Sequence, residues 1–279
     1  MRIITSKMID DFRNYLIEEE KAEATIEKYV RDIAELMLWL NGEAVNKITV
    51  LQYKDKIKAN YAPRSVNSII ASINSFLAYN KMFDLKLKSI KVQKQIFANK
   101  NMELTKAEYE RLLSAAKRNK KERLYYVMQT ICATGIRVSE LKFITVETIK
   151  IGQANINCKG KVRIVILPKQ LCTMLKKYAE KNKIIKGSIF VTKGGKSLDR
   201  SNIWSDMKKL CLTAGVDCSK VFPHNLRHLF ARTYYSIQKD VVKLADILGH
   251  TSINTTRIYT METGDIFRKQ IQTLGLLRC

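Results

Sequence analysis

The chain carries only three histidines among its 279 residues, at positions 224, 228 and 250. Two of them flank an arginine in Pro223-His224-Asn225-Leu226-Arg227-His228. Pro223 suits the first position of a helix. On a helical wheel His224, Arg227, His228 and Ala231 share one side, while Leu226, Leu229 and Phe230 take the other. Such a helix anchors by its apolar side and offers imidazole and guanidinium from the opposite one. Imidazole exchanges protons near neutral pH, and guanidinium grips carboxylate or phosphate through paired N–H groups. The same pattern also describes a plain amphipathic helix with a polar outer face. His250 follows Leu248-Gly249, and Tyr259 comes nine residues later. A zinc reading of the histidines lacks acidic or cysteine partners at ligand spacing.

Further back, Ala133-Thr134-Gly135-Ile136-Arg137-Val138-Ser139-Glu140-Leu141 sets Glu140 one helical turn after Arg137. Lys159-Gly160-Lys161 then lies between two short β-type runs. In order, Arg137, Lys159, His224-Asn225-Leu226-Arg227, His250 and Tyr259 resemble the tyrosine recombinase (phage integrase) family. That pattern is arginine, lysine, histidine-x-x-arginine, histidine or tryptophan, and tyrosine. The resemblance spans the whole chain, because the family also has a helical core-binding domain ahead of its catalytic domain.

The resemblance implies roles that the residue types can fill. Arg137 and Arg227 would hold a phosphodiester whose non-bridging oxygens gain charge under attack. Tyr259 would be the nucleophile, and a phenol with an ordinary pKa of about 10 must lose its proton in or near the attack. A local positive field would favour the phenolate. His224 would assist that proton transfer, His250 would donate to a non-bridging oxygen, and Lys159 would protonate the departing 5′-oxygen. Glu140 would orient Arg137 or His224. The products are a 3′-phosphotyrosine and a free 5′-hydroxyl, so the step is reversible without ATP. No cofactor and no metal are implied, in keeping with a sequence that lacks a Gly-rich phosphate loop or a carboxylate cluster. His228 is expected to support the site rather than react. Tyr234 and Tyr235 match nothing in the pattern, and Lys161 is the rival of Lys159.

The elements that must position these residues are mostly helical. Apolar residues Ile26, Tyr29, Val30, Ile33 and Leu36 predict a helix from a Thr25 cap to Leu40, ended by Gly42. A short helix over Val50–Lys58 and another over Ser65–Tyr79 follow. Lys54, Lys56, Lys58 and Arg64 surround the start of that last helix and suit phosphate contacts. Residues 85–103 are basic, lack helical periodicity and read as a linker. Thr105-Lys106-Ala107-Glu108 is a capping box that opens a second domain. Asn155–Cys158 and Val162–Leu167 form a hairpin, Ser188–Thr192 is a further short apolar run, and helices resume near Asp199. The fold expected is mainly α with a small β-sheet: a helical core-binding domain at 1–84, the linker, and a mixed α/β catalytic domain at 104–279.

Net charge is +24, distributed as −4 over residues 1–45, +8 over 46–97 and +20 over 98–279. That excess points to a polyanion, and the resemblance implies double-stranded DNA. No apolar run spans a membrane, no secretory signal opens the chain, and six scattered cysteines suit reduced thiols, so a cytoplasmic protein is expected. Ile266, Ile271, Leu274, Leu276 and Leu277 follow Tyr259. The resemblance implies that such a tail docks on a neighbouring subunit in a synaptic tetramer, with accessory DNA-bending or directionality proteins as further partners. The alternatives are a type I-B topoisomerase, a DNA-binding protein that no longer cuts, and, among recombinases, a Xer-type resolvase in place of a mobile-element integrase. The chain begins directly at the core-binding domain, so an arm-binding domain is not expected.

Overall fold

The computed structural model describes residues 2–92, 102–158, 161–192, 194–261, 268 and 271–274, and the chain divides into two units, Met1–Lys94 and Gln95–Cys279. The fold is mainly helical with one small sheet, as the sequence predicts. Among the described residues no helix is long and apolar enough to cross a membrane.

The first unit holds α1 (Ser6–Glu18), α2 (Glu23–Leu40), α3 (Lys47–Asn60) and α4 (Pro63–Tyr79). Helix α2 starts two residues before the expected Thr25 cap. No side chain caps it, and Glu23 instead places a negative charge in the first turn, where the helix dipole favours one. Helix α3 is longer than expected because Asn46 and Thr49 form a capping box ahead of it. Ile26, Ile33 and Leu36 of α2 and Val66, Ile70, Ile73 and Phe76 of α4 bury their stripes against Phe12 and Leu16 of α1. The unit does not stop at residue 84. Leu85 and Leu87 are buried in the same core, and the side chains of Asn74 and Asn67 bond the backbone of Leu87 and Ile90. The start of the expected linker is thus a strap on the first unit. Its period is two, which a search for helical spacing passes over.

The second unit opens with α5 (Lys106–Arg118), capped as expected by Thr105 and Glu108. Then come α6 (Glu122–Thr134), a 3₁₀ helix at Val138–Phe143 and α7 (Val146–Ile151). Strands β1 (Gln153–Cys158) and β2 (Lys161–Ile166) pair antiparallel, with Cys158 opposite Lys161 and Ile156 opposite Arg163. Ala154, Ile156 and Val165 face the core. Val162, Ile164 and Ile166 face out, and are 70%, 58% and 69% exposed. The Ser188–Thr192 run joins no sheet and makes only isolated bridges, Thr145 to Ser188 and Val191 to Ser197.

After α8 (Lys169–Lys181), α9 (Arg200–Lys208) and α10 (Cys211–Ala214) come the elements that carry the histidines and Tyr259. These are α11 (Pro223–Gln238), α12 (Val241–Leu248), α13 (Ile253–Thr256) and a 3₁₀ turn at Arg257–Tyr259. Asn225, almost wholly buried, donates from Nδ2 to the carbonyls of Met102 and Lys220 and so fixes the start of α11. In the tail Ile271 and Leu274 are exposed, while Ile266, Leu276 and Leu277 lie outside the described residues.

Candidate active site

Arg227 departs most from the helical-wheel expectation. It is not on a polar outer face: it is 1% exposed and heads the largest fully buried side chains among the described residues. A buried guanidinium must find acceptors, and three are waiting. Nη1 donates to the carbonyl of Gly135, and Nη2 donates to the carbonyl of Leu248 at 2.7 Å and meets His250 Nε2 at 3.0 Å. Two of these acceptors close helices: Gly135 ends α6 and Leu248 is the last residue of α12. Burial, then the charge of Arg137, lowers the Arg227 pKa to about 10, which leaves it charged at neutral pH. Its buried Nε–H has no partner among the described residues.

Gly135 has a second constraint. Its φ is +65°, and a Cβ there would lie 2.5 Å from Cδ1 of Phe230. Gly152 also has positive φ, +80°, but nothing lies within 4 Å of where its Cβ would be. Gly152→Ala should therefore cost about 1–2 kcal/mol for the left-handed backbone alone. Gly135→Ala should cost about 1–3 kcal/mol more for the forced shift of Phe230. Urea unfolding of the two variants checks the difference, and equal losses would remove the packing argument.

Arg137 begins the 3₁₀ helix, and Glu140 holds it there. The Arg137 backbone N–H donates to Glu140 Oε2 at 2.7 Å and Nη1 donates to Oε1 at 3.0 Å. Of the two partners expected for Glu140, the structure shows Arg137. It adds one that the sequence reading missed: Arg163 of β2 donates from Nη2 to Oε2 at 2.7 Å. Burial alone would raise the Glu140 carboxyl. The Arg137 N–H bond and the guanidiniums of Arg163 and Arg137 outweigh it and hold the carboxyl below its usual range. The Arg137 side chain keeps 41% of its surface open to solvent, where a ligand can reach it.

Gly249 turns the chain out of α12 with φ +64°, and the N–H groups of Gly249 and His250 reach back to the carbonyls of Asp246 and Ala245. That places His250 beside Arg227. Guanidinium only donates, so Nε2 of His250 accepts and its proton sits on Nδ1, facing Thr256 Oγ1 at 2.8 Å. Burial, then the charges of Arg227, Arg137 and Arg163, lowers the His250 pKa to about 4. In this state His250 steadies Arg227 and has no Nε2 proton to give, unlike the donor role expected of it.

Helix α13 and the following 3₁₀ turn return Tyr259 to the same place. It is 4% exposed and packs with Ala231, Leu244 and Leu248. Its ring stacks on His250 at 6.1 Å between centroids and meets His228 edge-on at 4.9 Å. Burial pushes the phenol above its usual value, while the charge and hydrogen bonding of Arg227, then the charge of Arg137, pull the other way. The positive field acts as expected but does not win, so Tyr259 waits as the neutral phenol. His228 is held near pKa 4 by burial, then by His224 and Arg227, and so supports the tyrosine as a neutral ring. His224 keeps an exposed edge at the start of α11. Partial burial lowers its pKa, with Arg227, Arg137 and Arg200 adding to the effect.

Lys159 lies outside the described residues, and nothing is described of the Lys161 side chain. In the first unit Lys54 donates to the carbonyl of Lys88, Lys58 pairs with Asp55, and Lys56 lies over the rings of Trp39 and Tyr53. Arg64 is exposed in the first turn of α4. Among the described residues no three His, Cys, Asp or Glu side chains group as metal ligands would.

This constellation occupies a stretch that matches, over residues 102–264, the Phage integrase family. The chain belongs to the phage integrase family. Residues 9–82 match the N-terminal SAM-like domain of phage integrases. "Tyrosine recombinase XerA" of Pyrococcus furiosus is 26% identical over 99% of this chain and 96% of its own length. "Tyrosine recombinase XerD" of Listeria innocua is 29% identical over 92% of this chain and 94% of its own. The fold is shared with residues 75–356 of lambda integrase, solved as a dimer bound to a COC′ core site, with TM-score 0.75, 17% identity, and coverage of 93% and 96%. The enzyme class expected from the sequence, tyrosine recombinase, is thus the class for which relatives of this phage integrase family member are named.

Proposed function

We propose that the chain cleaves and rejoins duplex DNA at a specific site through a covalent bond between Tyr259 and a strand's 3′-phosphate. The observation that carries this is the meeting of Tyr259, His250 and Arg227 in one buried cluster. A guanidinium on fixed backbone acceptors stays charged and oriented without reorganising at the moment of reaction. Its unpaired Nε–H adds a donor whose burial is otherwise a cost, and an anionic oxygen would satisfy it. Arg137, anchored by Glu140 and open to solvent, supplies the second grip. Tyr259 Oη attacks phosphorus, its proton passes toward His224, and the 5′-oxygen leaves with a proton from the hairpin lysine. The reverse attack by a 5′-hydroxyl rejoins the strand.

The proposed partners are double-stranded DNA and further copies of the same chain in a synaptic tetramer, with accessory DNA-bending proteins. Two roles fit this chemistry. The Gly249–Tyr259 segment and the tail suit a simple mobile-element integrase. Likeness to XerA and XerD over nearly the whole chain supports a chromosome or plasmid resolvase, and sequencing the DNA beside the gene separates the two.

The test is a nicked duplex that sheds a short fragment when cut, so that rejoining fails and the adduct persists. The wild-type protein should accumulate a protease-resistant covalent adduct on its own site. Binding should weaken by about 10³–10⁵-fold between 50 and 200 mM salt if roughly 6–10 phosphates are contacted. Salt-independent binding, or binding with no adduct on the matched site, would leave a DNA-binding protein that does not cut.

A further inference from the structure

Arg163 lies outside the residues that the resemblance assigns, yet it ties two parts of the site together. It sits opposite Ile156 on the core-facing side of the hairpin, where its side chain is 14% exposed. A guanidinium there is tolerated only if fixed acceptors receive it. One is Glu140 Oε2, at 2.7 Å. The other is the carbonyl of Ile247, to which Nη1 donates. Ile247 lies in the last turn of α12, where carbonyls lack helical partners and a positive charge suits the dipole. The shaft of Arg163 crosses directly over Gly249: a Cβ on that residue would lie 2.3 Å from Arg163 Cδ. The glycine is thus needed both for its left-handed φ and for the close approach.

We infer that Arg163 is a positioning residue that sets Arg137 relative to the His250–Arg227 pair, so that the two guanidiniums address the same phosphate. One end of its fork holds the carboxylate that holds Arg137. The other end holds the helix terminus from which His250 departs three residues later. Lysine cannot substitute fully, since a single ammonium lacks the planar fork that spans two acceptors. The inference rests on the reading of Arg137 and Arg227 as the phosphate grip, with His250 steadying Arg227.

The experiment compares adduct formation by wild type, Arg163→Met and Arg163→Lys on two nicked duplexes. One carries the ordinary scissile phosphate. The other carries a neutral methylphosphonate there, which has no net charge to grip. Arg163→Met keeps the volume and should bind DNA close to wild-type affinity. On the ordinary phosphate its rate should fall on the order of 10²-fold, the scale expected for a misplaced catalytic group. On the methylphosphonate the gap should shrink to a few-fold, because alignment of the charge grip then matters less. Arg163→Lys should fall between the two proteins on the ordinary substrate, and it carries the test if the Met variant does not fold.

An equal loss on both substrates would reduce Arg163 to a packing role and overturn the inference. So would an undiminished rate on the ordinary phosphate. A wild-type protein that forms no adduct at all would instead remove the functional reading beneath it.

Discussion

Tyr259→Phe is expected to bind its DNA site as the wild type does and to form no covalent adduct. The loss should be on the order of 10⁶-fold, the scale seen when a covalent enzyme loses its nucleophile. The structure makes this a clean substitution. Tyr259 is buried against Ala231, Leu244 and Leu248, and its ring contacts on His228 and His250 use the face and edge that phenylalanine keeps. Only the hydroxyl and its interaction with Arg227 are removed. Tyr234 and Tyr235 pack around the same cluster from α11 and serve as controls, since neither lies on the turn that brings Tyr259 under His250. Their phenylalanine variants should retain the adduct. Trapping by Tyr259→Phe at wild-type yield, on the nicked substrate, would remove the tyrosine from its role.

The second large effect concerns the hairpin. Lys159→Ala should slow cleavage of ordinary DNA by roughly 10²–10⁴-fold, the usual contribution of a general acid. The 5′-oxygen otherwise departs as an alkoxide, a poor leaving group near neutral pH. A 5′-bridging sulfur departs as a thiolate, whose conjugate thiol has a pKa of about 8.5, and needs little or no acid. The Lys159→Ala variant should therefore cut sulfur-substituted DNA at nearly the wild-type rate. Arg137→Ala should gain no such selective rescue, because its task is to stabilise phosphoryl charge. Rescue of Lys161→Ala and not of Lys159→Ala would transfer the role to the other lysine of the hairpin.

Arg137, His224, Arg227, His250 and Tyr259 were legible as candidates because, taken in order, they match the motif of the tyrosine recombinase family, whereas spacing alone left the helix of His224 and Arg227 indistinguishable from a plain amphipathic one. Their environment was not. The wheel of α11 places Arg227 with the histidines, but it cannot show that Gly135 and Leu248 offer carbonyls to that side. Polar and outward-facing then look alike. The state of His250 depends on Thr256 and Arg227 together, a relation between two elements that no spacing encodes.

Arg163 was hidden by a single residue of register. Treating Lys159-Gly160-Lys161 as the turn pairs Cys158 with Val162 and sends Ile164 inward, in line with the apolar alternation of Val162, Ile164 and Ile166. The actual pair is Cys158 with Lys161, and a shift of one exchanges the two faces. The clue was in β1, whose alternation is unambiguous: Gln153, Asn155 and Asn157 point out, while Ala154 and Ile156 point in. Carried across from Cys158 to its partner Lys161, that alternation brings Arg163 inside. The strap at Leu85 and Leu87 was missed for a related reason, a short period-two pattern embedded in lysines.

The buried carboxylate between Arg137 and Arg163 has a consequence for anyone who would engineer this chain. Replacing a buried ion pair with apolar side chains of similar volume often leaves a protein as stable or raises its stability by about 1–4 kcal/mol. Glu140 and Arg163 are such a pair, and Arg137, being half open to water, would survive the loss of its anchor as a solvated surface cation. A search for thermostable variants scored on folding alone would thus drift toward a sturdier protein with a loosened phosphate grip. Selection for heat resistance and selection for turnover pull on the same two side chains in opposite directions.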